Sequence, residues 1–206
     1  MPAKVKFCGI TRAADALLAA SLGVDAIGFV FVPGSPRSVA PSSAARICRE
    51  LPPLVGSVGL FMDASEDYVR SVISEVPLNW LQFHGTETPE YCRSFGRPWI
   101  KALPMASPGD VHYHQWKEAP VLLLDGHSAG GMGGSGETFD WENAVLPDTP
   151  WILAGGLNPD NIDRALELLT PAAVDVSSGI ESAPGIKDAR LMRRFMDAIK
   201  EKTHNG

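Results

Sequence analysis

The segment "WILAGGLNPDNIDRALELLTPAAVDVSSGIE", residues 151–181, contains a complete strand–helix–strand unit. Apolar runs at Trp151–Leu153 and Ala173–Val176 are typical of buried strands. Between them, Asn158 and Pro159 supply an N-cap and a first helical position, which predicts a helix over Pro159–Leu169. Because such a helix carries the chain back across the sheet, the two strands must run parallel.

The same unit recurs along the whole chain. The predicted strands are Val5–Phe7, Ala26–Phe31, Val55–Phe61, Trp80–Phe83, Trp99–Ala102, Val121–Leu124, Trp151–Leu153 and Ala173–Val176. The predicted helices are Ala13–Leu22, Ser43–Leu51, Glu66–Val76, Pro89–Phe95, Val111–Trp116, Trp141–Val145, Pro159–Leu169 and Ala189–Lys200. A doubly wound open sheet usually has only five or six strands. Eight units without a break in composition instead predict one α/β domain over residues 1–206, a closed (β/α)8 TIM barrel.

Composition narrows the class of protein. The 206 residues are 45% hydrophobic and carry a net charge of −6, as is ordinary for a globular enzyme. The absence of a long basic run disfavours nucleic acid and membrane surfaces as partners. The segment "MPAKVKFCGITR" lacks an apolar signal core, and the three cysteines are too widely spaced for a disulfide framework or a metal motif. We therefore expect a cytoplasmic protein without a metal site.

In a (β/α)8 barrel the carboxyl ends of all the strands meet at one face, where active sites form. The residues that follow the predicted strands are therefore the candidates for function. They are Cys8 after the first strand, Arg37 after the second, His84 after the fourth and Asp125 after the sixth, with Gly155, Gly156 and Asn158 after the seventh and Ser178 and Gly179 after the eighth.

The turns after the last two strands predict a phosphate site. Backbone N–H groups beside a helix N-terminus bind phosphate, and in barrels the loops after strands 7 and 8 are where phosphate is frequently held. The predicted ligand is thus a phosphorylated small molecule held by Gly155, Gly156, Asn158, Ser178 and Gly179. The alternative is that Gly155 and Gly156 only close the barrel.

The other candidates each have a functional and a structural interpretation. Cys8 ends a strand at the active face, yet a free cysteine is most often a small buried hydrophobic residue. Asp125 could be an acid or could cap the loop after it. His84 could be an acid or base but is more simply a structural or substrate-binding residue, and Arg37 either pairs with a ligand carboxylate or is an exposed loop residue.

A glycine-rich loop follows Asp125. Its glycines match the dinucleotide pattern G-x-G-x-x-G, but they do not directly follow the strand. Glu137 stands where a phosphate-binding loop would have lysine. The loop over Gly130–Gly136 is therefore interpreted as a lid or a simple connection, and Asp140 as the N-cap of the helix Trp141–Val145.

Six segments together resemble the phosphoribosylanthranilate isomerase family, barrel enzymes of tryptophan biosynthesis. They are KFCGITR, DAIGFVFVPGSPRSV, LQFHG, GGSGETFDW, LAGGLNPDNI and VDVSSGIE. The resemblance runs from Lys6 to about Phe195, with Glu137 at a position that is often lysine in the family. It implies an Amadori rearrangement of N-(5-phosphoribosyl)anthranilate to 1-(2-carboxyphenylamino)-1-deoxyribulose 5-phosphate.

The resemblance also implies roles for three residues. Cys8 would be the general base, Asp125 the general acid, and Arg37 would lie near the anthranilate carboxylate. No cofactor is expected, because the reaction involves no redox change, and the protein is expected to be a monomer or homodimer.

Two other functions remain open. The aminoimidazole carboxamide ribotide isomerase of histidine synthesis also performs an Amadori rearrangement. It normally uses paired carboxylates as acid and base, whereas the first strand here ends in Cys8. A catalytically silent phosphate-binding barrel would lack the acid or the base, and both are present in this sequence.

Overall fold

The computed structural model describes residues 3–105, 113–126 and 138–204, and it confirms the predicted barrel. Eight parallel strands close in sequential order, and the first strand pairs with the eighth. The strands are β1 (Lys4–Phe7), β2 (Ala26–Val30), β3 (Gly56–Phe61), β4 (Trp80–Phe83), β5 (Trp99–Pro104), β6 (Val121–Asp125), β7 (Trp151–Ala154) and β8 (Ala173–Val176). After β8 comes an antiparallel hairpin that was not predicted, formed by β9 (Glu181–Ala183) and β10 (Ile186–Lys187).

Helices cover the outside of this barrel. They are α1 (Ala13–Leu22), α2 (Pro41–Glu50), α3 (Glu66–Glu75), α4 (Pro89–Arg93), α5 (Ile162–Leu168) and α6 (Ala189–His204). Between the helices and the strands lies a large apolar layer, in which Phe7 of β1 meets Phe195 of α6 edge to face at 6.0 Å. Each such aromatic side chain contributes about 1.5–3 kcal/mol through burial. None of the helices in the described ranges is both long enough and apolar enough to span a bilayer.

Two predicted helices were wrong in type or extent. After β5 the chain forms only a 3₁₀ helix at Tyr113–Trp116, and residues 111–112 lie outside the described ranges. Residues 141–145 are not helical. The Asp140 carboxylate does accept the backbone N–H groups of Glu142 and Asn143, at 3.1 and 3.2 Å, but the turn stops there. Pro147 follows too closely for a helix to continue, because proline disfavours helical backbone before it.

The helix after β7 begins later than predicted, with Asn161 rather than Asn158 at its N-cap position. The Asn158 side chain instead accepts the N–H of Asp160 at 2.8 Å, and its carbonyl accepts the N–H of Asn161. Asparagine side chains form such local turns in competition with a helix. An extra turn therefore separates β7 from α5.

Side-chain alternation along the strands defines the interior. Val58, Ile100, Leu123 and Ile152 belong to a small apolar cluster, separate from the outer layer. On β1, Val5 and Phe7 belong to the outer layer, so the alternating residues Lys6 and Cys8 face the barrel axis. Several polar residues of the strands are also buried, and those at inward positions include Lys6, Gln82, Asp125 and Asp175. The interior is consequently apolar toward one end and polar beneath the mouth.

Candidate active site

One cleft opens at the carboxyl ends of the strands. It contains seven of the nine predicted site residues, which are Cys8, Arg37, His84, Asp125, Gly155, Gly156 and Ser178. The other two, Asn158 and Gly179, pack against each other beside the cleft, since a methyl group on Gly179 would lie 2.9 Å from the Asn158 Cβ and 1.9 Å from the Leu157 carbonyl oxygen. Only glycine allows this close approach of the two loops.

Cys8 continues the line of β1, and its backbone N–H donates to the Val176 carbonyl at 2.9 Å. Its side chain is only 5% exposed, although it lines the cleft. Burial raises the pKa of the Cys8 thiol, and the nearby Lys6 ammonium only partly offsets that increase. With its pKa raised, the thiol forms a thiolate only with help from nearby positive charge.

Asp125 is the last residue of β6, and it is oriented by a chain of side chains from β4. The His84 Nε2 lies 3.1 Å from the Asp125 Oδ2, and the Gln82 Nε2 lies 3.2 Å from the His84 Nδ1. If Gln82 donates to Nδ1, the imidazole proton sits on Nε2 and points at the carboxyl group. Gly155 packs on the other side, where a methyl group would lie 2.8 Å from the Asp125 Oδ1.

Arg37 is held in the cleft by an ion pair. Its Nε and Nη2 donate to the two carboxylate oxygens of Glu181 at 3.0 and 2.8 Å, and Lys187 also donates to Glu181 at 2.8 Å. Burial would raise the pKa of Glu181, but Arg37 and Lys187 lower it overall. Gly9 has a φ of +74°, and a methyl group there would lie 2.8 Å from the Arg37 Cδ. Arg37 is thus a positioned residue, with a side chain 12% exposed, rather than an exposed loop residue.

The two predicted phosphate turns face the same cleft. Gly155 and Gly156 have φ values of +86° and +65°, which side-chain-bearing residues rarely adopt. Within the described residues, the backbone N–H groups of Gly156 and Ser178 donate to no backbone or side-chain acceptor. Both groups can therefore donate to an anion in the cleft.

Sequence reasoning missed five polar residues around the site, which are Lys6, Gln82, Asp175, Glu181 and Lys187. Three of them stand at inward positions of the strands. Lys6 lies two residues before Cys8, and Gln82 lies two residues before His84. Asp175 lies two residues after Ala173. A polar residue within a buried barrel strand is a usable signal, because charges are rarely buried without a partner.

The described residues contain no group of three or more His, Cys, Asp or Glu side chains arranged for a metal ion. The predicted lid over Gly130–Gly136 and Glu137 both lie outside the described residues, so the interpretation of that loop stays a prediction.

Comparison with known proteins shows which family the chain belongs to. Residues 5–198 match the profile of the N-(5'-phosphoribosyl)anthranilate (PRA) isomerase family. A relative of that name from Alcanivorax borkumensis is 47% identical, with 97% of this chain and 96% of the relative covered. The crystal structure of phosphoribosyl anthranilate isomerase from Thermotoga maritima is 40% identical, with a TM-score of 0.88 over 97% of this chain and 99% of that one.

A further crystal structure of a phosphoribosyl anthranilate isomerase contains reduced 1-(o-carboxyphenylamino)-1-deoxyribulose 5-phosphate. It is 36% identical, with a TM-score of 0.78 over 97% of this chain and 99% of that one. The fold, the extent of these matches and the residues in the cleft agree, and the chain belongs to the N-(5'-phosphoribosyl)anthranilate isomerase family.

Proposed function

We propose that this protein converts N-(5-phosphoribosyl)anthranilate to 1-(2-carboxyphenylamino)-1-deoxyribulose 5-phosphate, an Amadori rearrangement in tryptophan biosynthesis. The observation that carries the proposal is the cleft itself. In a member of this family it joins a thiol, a carboxyl group, a guanidinium and two backbone N–H groups that have no acceptor among the described residues. A relative with the same fold is described as a complex with the reduced form of that product.

The proposed chemistry needs one acid and one base. Asp125 protonates the ribose ring oxygen, the ring opens, and the nitrogen lone pair forms a Schiff base to C1. The Cys8 thiolate then removes the proton from C2, which gives an enol that tautomerises to the 2-ketone. The proton taken up by Cys8 and the proton lost by Asp125 balance over the cycle. The contact of His84 with Asp125 supports this assignment, because it aims the acid into the cleft.

Substrate anchoring at two ends supports the same assignment. The phosphate would accept the N–H groups of Gly156 and Ser178, and the anthranilate carboxylate would lie near Arg37. Gly155, Asn158 and Gly179 would shape the phosphate loops around them. A sugar fixed at both ends reacts faster, because the entropy of alignment has already been lost on binding.

Inorganic phosphate is expected to compete weakly with the substrate. The reason is that the backbone donors after β7 and β8 bind the phosphate group wherever it is attached. Inhibition by phosphate, with chloride at equal ionic strength as the control, measures this. Purely noncompetitive inhibition, or sulfate bound elsewhere on the barrel in crystals, would contradict the predicted site.

Arg37→Ala is expected to lower kcat/KM at least about tenfold, because a hydrogen bond to a charged group contributes about 1.5–3 kcal/mol. Glu181 keeps its ion pair with Lys187 in this variant, so the fold should persist. Arg70→Ala, which removes an exposed ion pair with Glu66, is the matched control and should behave like the unmodified protein. Unchanged kcat/KM in Arg37→Ala would leave Arg37 with only a structural role.

The function itself is tested by turnover of phosphoribosylanthranilate, followed as loss of anthranilate fluorescence. The phosphoribosylated derivative of aminoimidazole carboxamide ribotide on which the related isomerase acts is assayed in parallel. Turnover of the anthranilate compound alone is the expected result. Turnover of the ribotide alone would indicate the related isomerase, and turnover of neither would indicate a silent barrel.

The remaining expectations accompany this proposal. The reaction needs no nicotinamide, flavin or metal, and the protein should be a cytoplasmic single domain that binds neither nucleic acid nor membranes. Whether it is a monomer or a homodimer is measured by light scattering during size-exclusion chromatography.

A further inference from the structure

We propose that Lys6 is a positioning residue for catalysis, which supplies the positive charge against which the Cys8 thiolate forms, and that Asp175 both holds and moderates that charge. The inference rests on the proposed function insofar as Cys8 is the base. It concerns the ionisation of Cys8, which can be measured without any substrate.

The geometry of β1 and β2 brings the ammonium and the thiol together. Lys6 and Cys8 are two residues apart, so both side chains enter the barrel from β1. A methyl group on Gly28 of β2 would lie 2.9 Å from the Cys8 Sγ and 3.1 Å from the Lys6 Nζ. The absent side chain of Gly28 leaves the space in which the two groups meet.

Asp175 fixes the ammonium from the neighbouring strand. It pairs with Lys6 in the register of β1 and β8, and its Oδ2 accepts from the Lys6 Nζ at 2.9 Å. The side chains are 4% and 8% exposed, so solvent cannot substitute for either partner. The Asp175 Oδ1 is buried and has no hydrogen-bond partner among the described residues. Among the described residues, the hydrogen bond from Lys6 is thus the contact that holds the Asp175 carboxylate.

The charges around Cys8 come from three strands. Lys6 faces it from β1, Asp175 from β8 and Lys187 from β10. Lys187 is itself bound to Glu181, which also holds Arg37. Lys6 and Lys187 are each paired with a carboxylate, but Lys6 also lies within hydrogen-bonding reach of the thiol, so it is the cation with the greatest effect on Cys8.

The directions of the pKa shifts agree with this arrangement. Burial raises the pKa of Cys8, Lys6 lowers it and Asp175 raises it again. Burial would lower the pKa of Lys6, but Asp175 and Cys8 raise it overall, so the ammonium stays charged. A buried thiolate without a counter-charge would be strongly disfavoured, because its desolvation is not compensated.

Removal of Lys6 and removal of Asp175 should therefore shift the pKa of Cys8 in opposite directions. Lys6→Met removes the attraction and leaves the repulsion, so the thiolate should form only at higher pH. Asp175→Asn removes the repulsion and frees the ammonium to face the sulfur, so the thiolate should form at lower pH. A role confined to packing or stability would not give opposite signs.

The experiment measures alkylation of Cys8 by iodoacetamide between pH 6 and 10, quantified by mass spectrometry of the peptide that contains it. At pH 8 we expect Lys6→Met to react at least about tenfold more slowly than the unmodified protein, because a higher pKa of Cys8 leaves less thiolate. Asp175→Asn should react at least about threefold faster, because a lower pKa of Cys8 leaves more thiolate. Lys101→Met is the matched control, since Lys101 is equally buried and paired with Glu87 at 2.8 Å.

Cys92, which is fully buried in α4, reports on folding in the same samples. If Lys6→Met unfolds and exposes Cys92, the Asp175→Asn variant alone tests the proposal. Unchanged or slower alkylation of Cys8 in Asp175→Asn then overturns it. Equal rates in Lys6→Met and the unmodified protein, or shifts of the same sign in both variants, overturn it as well. The expected alkylation pattern without turnover of phosphoribosylanthranilate would contradict the proposed function and leave the role of Lys6 intact.

Discussion

Cys8→Ser is expected to lower the turnover of phosphoribosylanthranilate at least about a hundredfold, since a positioned base typically contributes roughly 10²–10⁴-fold. Serine is nearly the same size as cysteine but is a far poorer proton acceptor at neutral pH. The change is measured as kcat in the fluorescence assay. In the unmodified protein kcat/KM should rise with pH through the ionisation of Cys8, because the base must be deprotonated and burial raises its pKa.

Cys48→Ser is the control for this variant, because Cys48 is a half-buried cysteine in α2, away from the cleft. Cys48→Ser should leave kcat unchanged. Cys8→Ser should still bind reduced 1-(o-carboxyphenylamino)-1-deoxyribulose 5-phosphate. A Cys8→Ser enzyme that works at the normal rate would assign the base to another residue, and His84 would be tested first.

Asp125→Asn is expected to cause a loss of at least about a hundredfold as well, because the amide keeps the shape of the acid but cannot supply its proton. The contact with the His84 Nε2 can persist through the amide oxygen, so the side chain should stay in place. The step affected should be ring opening. A substrate analogue that is already ring-opened should therefore rescue Asp125→Asn more than it rescues Cys8→Ser.

Asp67→Asn, an exposed position in the first turn of α3, controls for the change of charge and should retain full activity. Equal rescue of the Cys8 and Asp125 variants by the ring-opened analogue would contradict this division of roles. It would mean that both residues act at one step.

The sequence predicted the barrel and its mouth because both depend on local patterns. Apolar runs mark the strands, and the residue after a strand must lie at the mouth once the strands are parallel. It was harder to predict where a local turn would form in place of a helix. Asn158 has the sequence context of a helix N-cap, but its side chain forms a local turn instead. The segment after Asp140 contains helix-forming residues, but Pro147 follows too closely for a helix to form.

Contacts distant in the sequence could not be predicted in this way. Lys6 and Asp175 are 169 positions apart, and Arg37 and Glu181 are 144 positions apart. Their pairing depends on the closure of β1 against β8 and on the hairpin after β8. A single sequence contains the charged residues, but it does not give the register that brings them together.

A crystal structure with reduced 1-(o-carboxyphenylamino)-1-deoxyribulose 5-phosphate would show directly whether the cleft binds its substrate in the proposed orientation. We expect the phosphate to accept the N–H groups of Gly156 and Ser178 and the carboxylate to lie against Arg37. The Cys8 sulfur should then face C2 of the ribulose chain, with the Asp125 carboxyl on the oxygen released by ring opening. A ligand bound with its phosphate at Arg37, or with C2 facing away from Cys8, would contradict the proposed roles of these residues.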